Sequence, residues 1–252
     1  MTMHLNVVIP MAGLGSRFAE EGFSLPKPFI DVDGLPMIVR VLENLNYPGA
    51  HYILIARREH LERYPSIVTS IEARFPNIRF VPVDQLTEGT ACTILYARQL
   101  INNENPLLIA NSDQLVDLNM ADFIADADRR DLDGSILCFK DAELNPKWSF
   151  AQVGEDDLVI QVKEKVVISD LATVGIYYFR QGSDFVNSAI DMIIQNDRVN
   201  NEFYTCPSYN YAINAGKRIG IYLIDAMQMH GIGTPADLKE YLRIKRFNAS
   251  KS

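Results

Sequence analysis

The residues with the clearest capacity for chemistry lie close together near the N-terminus. Ala12-Gly13-Leu14-Gly15-Ser16-Arg17-Phe18 follows directly on an apolar run. Glycines at that point let the backbone approach a phosphate chain, and successive N–H groups can cradle its oxygens. A lone G-x-G is weak evidence by itself. The dinucleotide fingerprint wants a third glycine where Phe18 stands, and no phosphate-loop G-K-S or G-K-T is present. A tight turn without ligand is the plain alternative. Nine residues after Phe18, Lys27 sits between Pro26 and Pro28. Flanking prolines restrict the backbone, so the ammonium can be aimed at one place. Asp113 ends the segment Asn111-Ser112-Asp113 after another apolar run. Alone it reads first as a turn or helix cap. At the carboxyl end of a parallel strand it would stand where open α/β sheets bind ligands.

The elements that must carry these residues alternate. Apolar runs at 5–10, 52–56, 78–83 and 107–110 read as strands. Between them, helical spacing is marked by Ile38, Val41, Leu42 and Leu45, by Leu61, Tyr64, Val68, Ile71 and Phe75, and by Ile94, Leu95 and Ile101 across 91–101. Strands and helices in this order predict βαβ units and a mostly parallel sheet. The second half is more mixed. Strand-like stretches at 135–139, 151–153, 158–163 and 173–179 come close together, a helix is expected over 185–194, a strand over 219–224 and a closing helix over 235–247. Residues 248–252 read as a frayed tail.

Taken together, Gly13, Gly15, Arg17, Lys27 and Pro36-Met37-Ile38 resemble the sugar-phosphate nucleotidyltransferases, the nucleotide-sugar pyrophosphorylases, in their compact bacterial form. The resemblance implies a three-layer α/β/α, Rossmann-like (GT-A-like) fold in one catalytic domain over 1–247. Its nucleotide-binding half would cover about 1–115 and its acceptor-binding half about 116–247. It implies no C-terminal acyltransferase helix of the kind some relatives carry. It implies that Ala12, Gly13, Leu14, Gly15, Ser16, Gln85, Glu88, Gly89, Thr90 and Ser112 bind the nucleotide, with the loop at Glu88-Gly89-Thr90 reading the base. Arg17 and Lys27 would hold the triphosphate, and Asp113 a Mg²⁺ ion, for which oxygen ligands are suited. Trp148, Glu164, Lys165, Gly175, Glu202 and His230 would meet the acceptor, with Lys165 on its phosphate. One departure stands out. Gly231 takes the place where such enzymes often have a second carboxylate for the metal, and Asp225 or Glu202 are the substitutes at hand.

The reaction so implied moves a nucleoside monophosphate from a nucleoside triphosphate to a sugar 1-phosphate or similar small phosphorylated acceptor, with Mg²⁺ as cofactor, in the service of surface polysaccharides (capsule or lipopolysaccharide). A CTP-dependent enzyme acting on a non-sugar phosphate is the nearest alternative. A glycosyltransferase on the same fold would want an Asp-x-Asp motif, which Asn111-Ser112-Asp113 does not supply. A non-catalytic nucleotide-sugar binder has Gly231 in its favour. Composition narrows the partners. Lys and Arg number 24 against 32 for Asp and Glu, a net charge of -8, which argues against nucleic-acid polymers and anionic membranes. A hydrophobic share of 48% suits a globular chain. Cys92, Cys138 and Cys206 form no C-x-x-C pair and read as small apolar residues of a reduced compartment. No apolar run approaches the roughly 20 residues that span a bilayer. A cytoplasmic location is expected, and self-association is left open.

Overall fold

The computed structural model describes residues 4–249. The order of elements is β1 (Asn6–Pro10), α1 (Ser16–Glu20), β2 (Asp31–Val32), β3 (Leu35–Pro36), α2 (Met37–Asn44), β4 (His51–Arg57), α3 (Arg58–Arg63), α4 (Pro65–Arg74), β5 (Ile78–Val83), α5 (Thr90–Leu95), α6 (Arg98–Ile101), β6 (Leu107–Ala110) and β7 (Gln114–Val116). There follow α7 (Met120–Arg129), β8 (Gly134–Lys140), β9 (Ser149–Val153), β10 (Val159–Glu164), β11 (Leu171–Phe179), α8 (Gly182–Ile194), α9 (Ser208–Asn214), β12 (Ile219–Ile224), β13 (Met229–Gly231) and α10 (Pro235–Ala249). Short 3-10 turns cover Lys27–Phe29 and Ala226–Gln228.

The central sheet is mixed and mostly parallel in its first half. β5, β4, β1 and β6 lie side by side, all parallel. β11 joins this block antiparallel to β6, with Tyr177 opposite Ile109. Beyond it β8 runs antiparallel to β11, and β12 parallel to β8. The β9–β10 hairpin attaches to the start of β11, where Ala172 faces Phe150. Alternation along each strand divides the core in two. Val7, Ile9, Leu108 and Ala110 pack into one layer, and Val8, Leu107 and Ile109 into the other. That period of two, with both faces apolar, is why the first strands read as unbroken apolar runs.

Two expectations about helices are corrected. The single helix through Leu61 to Phe75 is two, α3 and α4. Pro65 has no N–H to continue the ladder, and Tyr64 before it leaves the helical region at φ -125, ψ 53. The helix expected over 91–101 also divides, at Ala97. There bonds from Tyr96 to Thr93 (3.1 Å) and from Ala97 to Ile94 (2.9 Å) tighten the turn. Helices α7 and α9 and the β7–β13 ribbon were not anticipated. The closing helix runs through Ala249, two positions into the stretch expected to fray, and 250–252 lie outside the described residues. Cys138 and Cys206 are buried and Cys92 half-buried, all free thiols, and burial pushes all three thiols up. Among the described residues no helix is long and apolar enough to cross a membrane.

Candidate active site at the carboxyl ends of the parallel strands

The loop after β1 turns at Gly15, which holds φ 64 and caps α1. A side chain there would be strained in that conformation, and its Cβ would stand 3.0 Å from the Cβ of Lys27. Gly15 thus lets the loop lie directly on the Lys27 turn. That turn closes through Phe29 N–H to Pro26 C=O at 2.8 Å, between the two prolines. From it the Lys27 ammonium meets the carboxylate of Asp113 in an ion pair. Asp113 is fixed from the far end of the chain. Its carbonyl accepts from Ile232 N–H at 2.9 Å, and Gly233 lies so close that a Cβ would fall 2.4 Å from Oδ2. The adjoining β7 pairs with β13, Gly231 opposite Gln114. On its other side Asn44 clamps Val116 in both directions, at 2.7 and 2.8 Å.

Three cavities open around this pair. The first, about 370 Å³, is lined by Ala12, Gly13, Gly15, Lys27, Thr87, Gly89, Thr90, Ser112, Asp113 and Glu202, among others. Glycine, alanine, serine and threonine supply much of its lining, beside Met11, Leu86, Lys27 and Glu202. Gly89 adopts φ 118, and a Cβ would come within 2.4 Å of the Phe203 carbonyl oxygen. The loop around Phe203 is strapped to it by Phe203 N–H to Glu88 C=O at 2.7 Å and Ala91 N–H to Phe203 C=O at 2.9 Å. The Gly89 carbonyl is occupied by Thr93 N–H and by the hydroxyls of Thr87 and Thr93, at 3.1 to 3.2 Å. The second cavity, about 880 Å³, contains Gly13, Ser16, Arg17, Lys27, Asp113, Gln114, Lys147, Trp148, Glu202, Gly231 and Thr234. The third, about 380 Å³, shares Arg17, Asp113, Gln114, Lys147 and Trp148 with the second and adds Glu164, Lys165, Gly175, Tyr177 and Tyr204.

The third cavity gathers charged and aromatic residues. Gly175 interrupts β11 at φ 90, and a Cβ would strike Asn111 Nδ2 at 2.2 Å. That glycine marks the register shift between Thr173 and Tyr177. Glu164 is buried and accepts a hydrogen bond from Ser149. Burial pushes its carboxyl above the usual range; the Ser149 bond and the Lys165 charge oppose the shift, and Glu202 adds to it. Lys165, at φ 56, turns back so that its ammonium donates to Tyr204 Oη at 2.5 Å. Burial, then Glu202, raises the Tyr204 hydroxyl. Glu202 follows a turn at Asn200 and Asn201, both left-handed at φ 50 and 64, between Val199 and Glu202, which exchange bonds of 3.0 and 2.9 Å.

Five residues singled out from the sequence stand outside these walls. Gln85 is exposed and lines none of the three. Glu88 turns outward to Arg198 at 2.8 Å. His230 pairs with Asp117 at 2.8 Å on the ribbon. Asp225 caps the 226–228 turn, accepting from Met227 N–H at 2.8 Å in a capping box with Gln228, which leaves Glu202 as the carboxylate that shares the first and second cavities with Asp113. Leu14 is 61% exposed and lies over a small pocket behind the glycine loop. Trp148 is half-buried, edge-on to Phe139 at 5.4 Å, and still reaches two cavities, so it serves the core and the site together. Lys147, Gln114, Thr87, Asn111 and Tyr204 line the walls without having been foreseen. Only Tyr204 carried a signal, as an aromatic two places after Glu202.

The chain is similar to known nucleotidyltransferases. A family model described as nucleotidyl transferase matches residues 6–231. The chain is 27% identical over 177 residues to a mannose-1-phosphate guanyltransferase of Gibberella zeae, covering 68% of this chain and 48% of that protein. It is 23% identical over 177 residues to the mannose-1-phosphate guanylyltransferase catalytic subunit beta of Dictyostelium discoideum, covering 69% and 49%. It thus spans about half the length of these curated relatives. The crystal structure of a nucleoside-diphosphate-sugar pyrophosphorylase from Vibrio cholerae RC9 superposes with a TM-score of 0.79 at 24% identity, over 94% of this chain and 99% of that one, a likeness of fold.

Proposed function

Because the chain belongs to the nucleotidyl transferase family, we propose that it transfers a nucleoside monophosphate from a nucleoside triphosphate to a sugar 1-phosphate or similar small phosphorylated acceptor, releasing pyrophosphate. The observation that carries this reading is that Arg17, Lys27 and Asp113 line one cavity, which adjoins a cavity rich in glycine and threonine and another that holds Glu164, Lys165 and Tyr204. The first cavity takes the nucleoside, the second the triphosphate and the third the acceptor. A role in surface polysaccharide synthesis, in which the two halves of the chain act as one catalytic unit, fits such an activated product.

An oxygen of the acceptor phosphate attacks the α-phosphorus, and the bond from that phosphorus to the bridging oxygen of the β-phosphate breaks. The attacking oxygen is already anionic, so no general base is needed. The difficulty is gathering several negative groups and stabilising charge as the new bond forms, which is a matter of positioning and electrostatics. Backbone N–H groups of the glycine loop and the charges of Arg17 and Lys27 serve the triphosphate. Lys165 serves the acceptor phosphate, while Glu164 and the face of Trp148 serve its polar and apolar surfaces.

The donor set fits a hard divalent cation. Asp113 and Glu202, both carboxylates, line the same two cavities. Among the described residues no three His, Cys, Asp or Glu side chains gather around one point. Mg²⁺ commonly takes one or two carboxylates and completes its shell with water and substrate phosphates. Held there, it would neutralise charge on the α- and β-phosphates.

The test is direct. The protein is incubated with Mg²⁺, each nucleoside triphosphate in turn, and a panel of sugar phosphates and non-sugar phosphates, and pyrophosphate is measured. Release with a sugar 1-phosphate is the expected result. Release only with CTP and a non-sugar phosphate would replace the acceptor class. No release with any pair would overturn the reading in favour of a glycosyltransferase or a non-catalytic binder.

A further inference from the structure

The cations around the three cavities are not equivalent. Lys27 is neutralised by Asp113. Lys165 donates to Tyr204 Oη and lies over its ring at 4.4 Å. Arg17 and Lys147 form no ion pair with any described residue. Lys147 has another trait. Its ammonium rests over the indole of Trp148, 4.5 Å from the ring centroid. Lys147 and Trp148 both line the second and the third cavities, together with Arg17 and Asp113. The boundary between those cavities is where a triphosphate and an acceptor phosphate would touch.

The backbone that carries Lys147 is set by a run of hydrogen bonds. The Asp141 carboxylate accepts from Glu143 N–H at 3.2 Å and from Asn145 N–H at 2.7 Å. Asn145 Oδ1 accepts from Lys147 N–H at 3.0 Å, and the carbonyl of Trp148 accepts from Lys165 N–H at 3.0 Å. These nested turns fix where the side chain starts and join it to the strand end that holds Glu164 and Lys165. A cation held only by a ring face at an exposed site is weakly held. A phosphate oxygen offers a stronger, charge-assisted bond.

Resting on the nucleotidyl-transfer reading of this site, we propose that Lys147 is a further catalytic residue. It leaves the indole of Trp148 to contact the phosphate groups that react between the second and third cavities. A lysine is suited to this, being a point charge on a long flexible stem. Its move also uncovers the indole face on the acceptor side, so arrival of the phosphate and exposure of the stacking surface are one event.

Trp148 is the only tryptophan of the chain, which makes the move visible. Two measurements settle the assignment, with Lys147→Met removing the charge and Lys147→Arg keeping it. Lys147 is exposed, so neither change disturbs the fold. In turnover with the accepted pair, Lys147→Met is expected to lose roughly 100-fold in kcat/KM for the acceptor, while KM for the triphosphate stays within about twofold. Lys147→Arg is expected to recover most of the loss. Near wild-type kcat/KM in Lys147→Met would overturn the proposal. The second measurement needs no turnover. Inorganic phosphate titrated into the wild-type protein is expected to shift Trp148 emission saturably, and to leave Lys147→Met unshifted. An equal shift in both, or none in the wild type, would overturn it. If no substrate pair turns over, the functional reading fails while the phosphate titration still decides the role of Lys147.

Discussion

The walls of the first cavity, proposed for the nucleoside, and of the third, proposed for the acceptor, are made of different material. Around the first cavity, Gly89 holds a backbone conformation that only glycine tolerates well, Gly15 takes a left-handed turn that favours glycine, and small residues supply much of the wall. Around the third cavity, Glu164, Lys165, Lys147, Trp148 and Tyr204 bring functional groups together, and burial raises the ionisation of two of them, Glu164 and Tyr204. The first wall rests on parallel strands continued by short helices, the second on antiparallel strands, a hairpin and turns. A triphosphate is common to many reactions and can be bound by shape and N–H groups. An acceptor is particular, and side chains can be exchanged one at a time to suit it.

Breaking the backbone wall should cost most. Gly89→Ala is expected to destabilise the protein by about 3 kcal/mol, because the new Cβ meets the Phe203 main chain and φ stays positive. Thermal unfolding with and without triphosphate checks this; an unchanged melting temperature together with an unchanged triphosphate-induced rise would abolish the contrast. Lys27→Ala should leave folding intact and lower turnover by about 100-fold or more, read as pyrophosphate release. Turnover near wild type would remove Lys27 from the reaction.

The acceptor wall should respond more selectively. Glu164→Gln is expected to raise KM for the acceptor by about tenfold, as for one lost charge-assisted hydrogen bond, without moving KM for the triphosphate. It should also raise thermal stability at neutral pH. The sign follows from burial, which lifts the Glu164 carboxyl above its unfolded value. The stability associated with its protonated form is complete below the unfolded pKa and is lost as pH rises through the folded one, so an uncharged amide is favoured at neutral pH and its advantage fades in acid. A melting-temperature difference that does not vary with pH would refute this. The smallest effect is expected from Asp225→Ala, about 1 kcal/mol of stability for a lost cap and turnover with Mg²⁺ unchanged. A large fall in activity would restore Asp225 as a metal ligand and join the two walls through it.

The same contrast governs what could be read in the letters. The parallel strands are legible because Val7 to Ile9 and Leu107 to Ala110 are apolar on both faces, and the glycine loop because its chemistry is local. Pro65 was in plain view, yet apolar spacing through Tyr64 and Val68 masked its effect. The ribbon of β7 with β13 was not legible, since three-residue strands carry almost no periodic signal and their pairing depends on remote partners. Nor was Lys147. A lysine after Asn145-Pro146 looks like any solvated turn, and only the meeting of two cavities gives it a destination. Asp225 and His230 carried suitable chemistry, but local capping and the Asp117 carboxylate engage them elsewhere.

The ribbon has a consequence for how the site comes into being. Asp113 is anchored by Ile232 and Gly233, and the flanking contact from Gln228 to Asp117 spans 111 positions. A nascent chain emerging from the ribosome can therefore pair its first four parallel strands long before the Asp113 carboxylate is held. Synthesis at about 5–20 residues per second leaves an interval of several seconds in which the sheet exists and the reaction centre does not. Activity would arise late and all at once, when the segment around Gly231 docks, and a single proteolytic cut in that segment would silence an otherwise folded molecule.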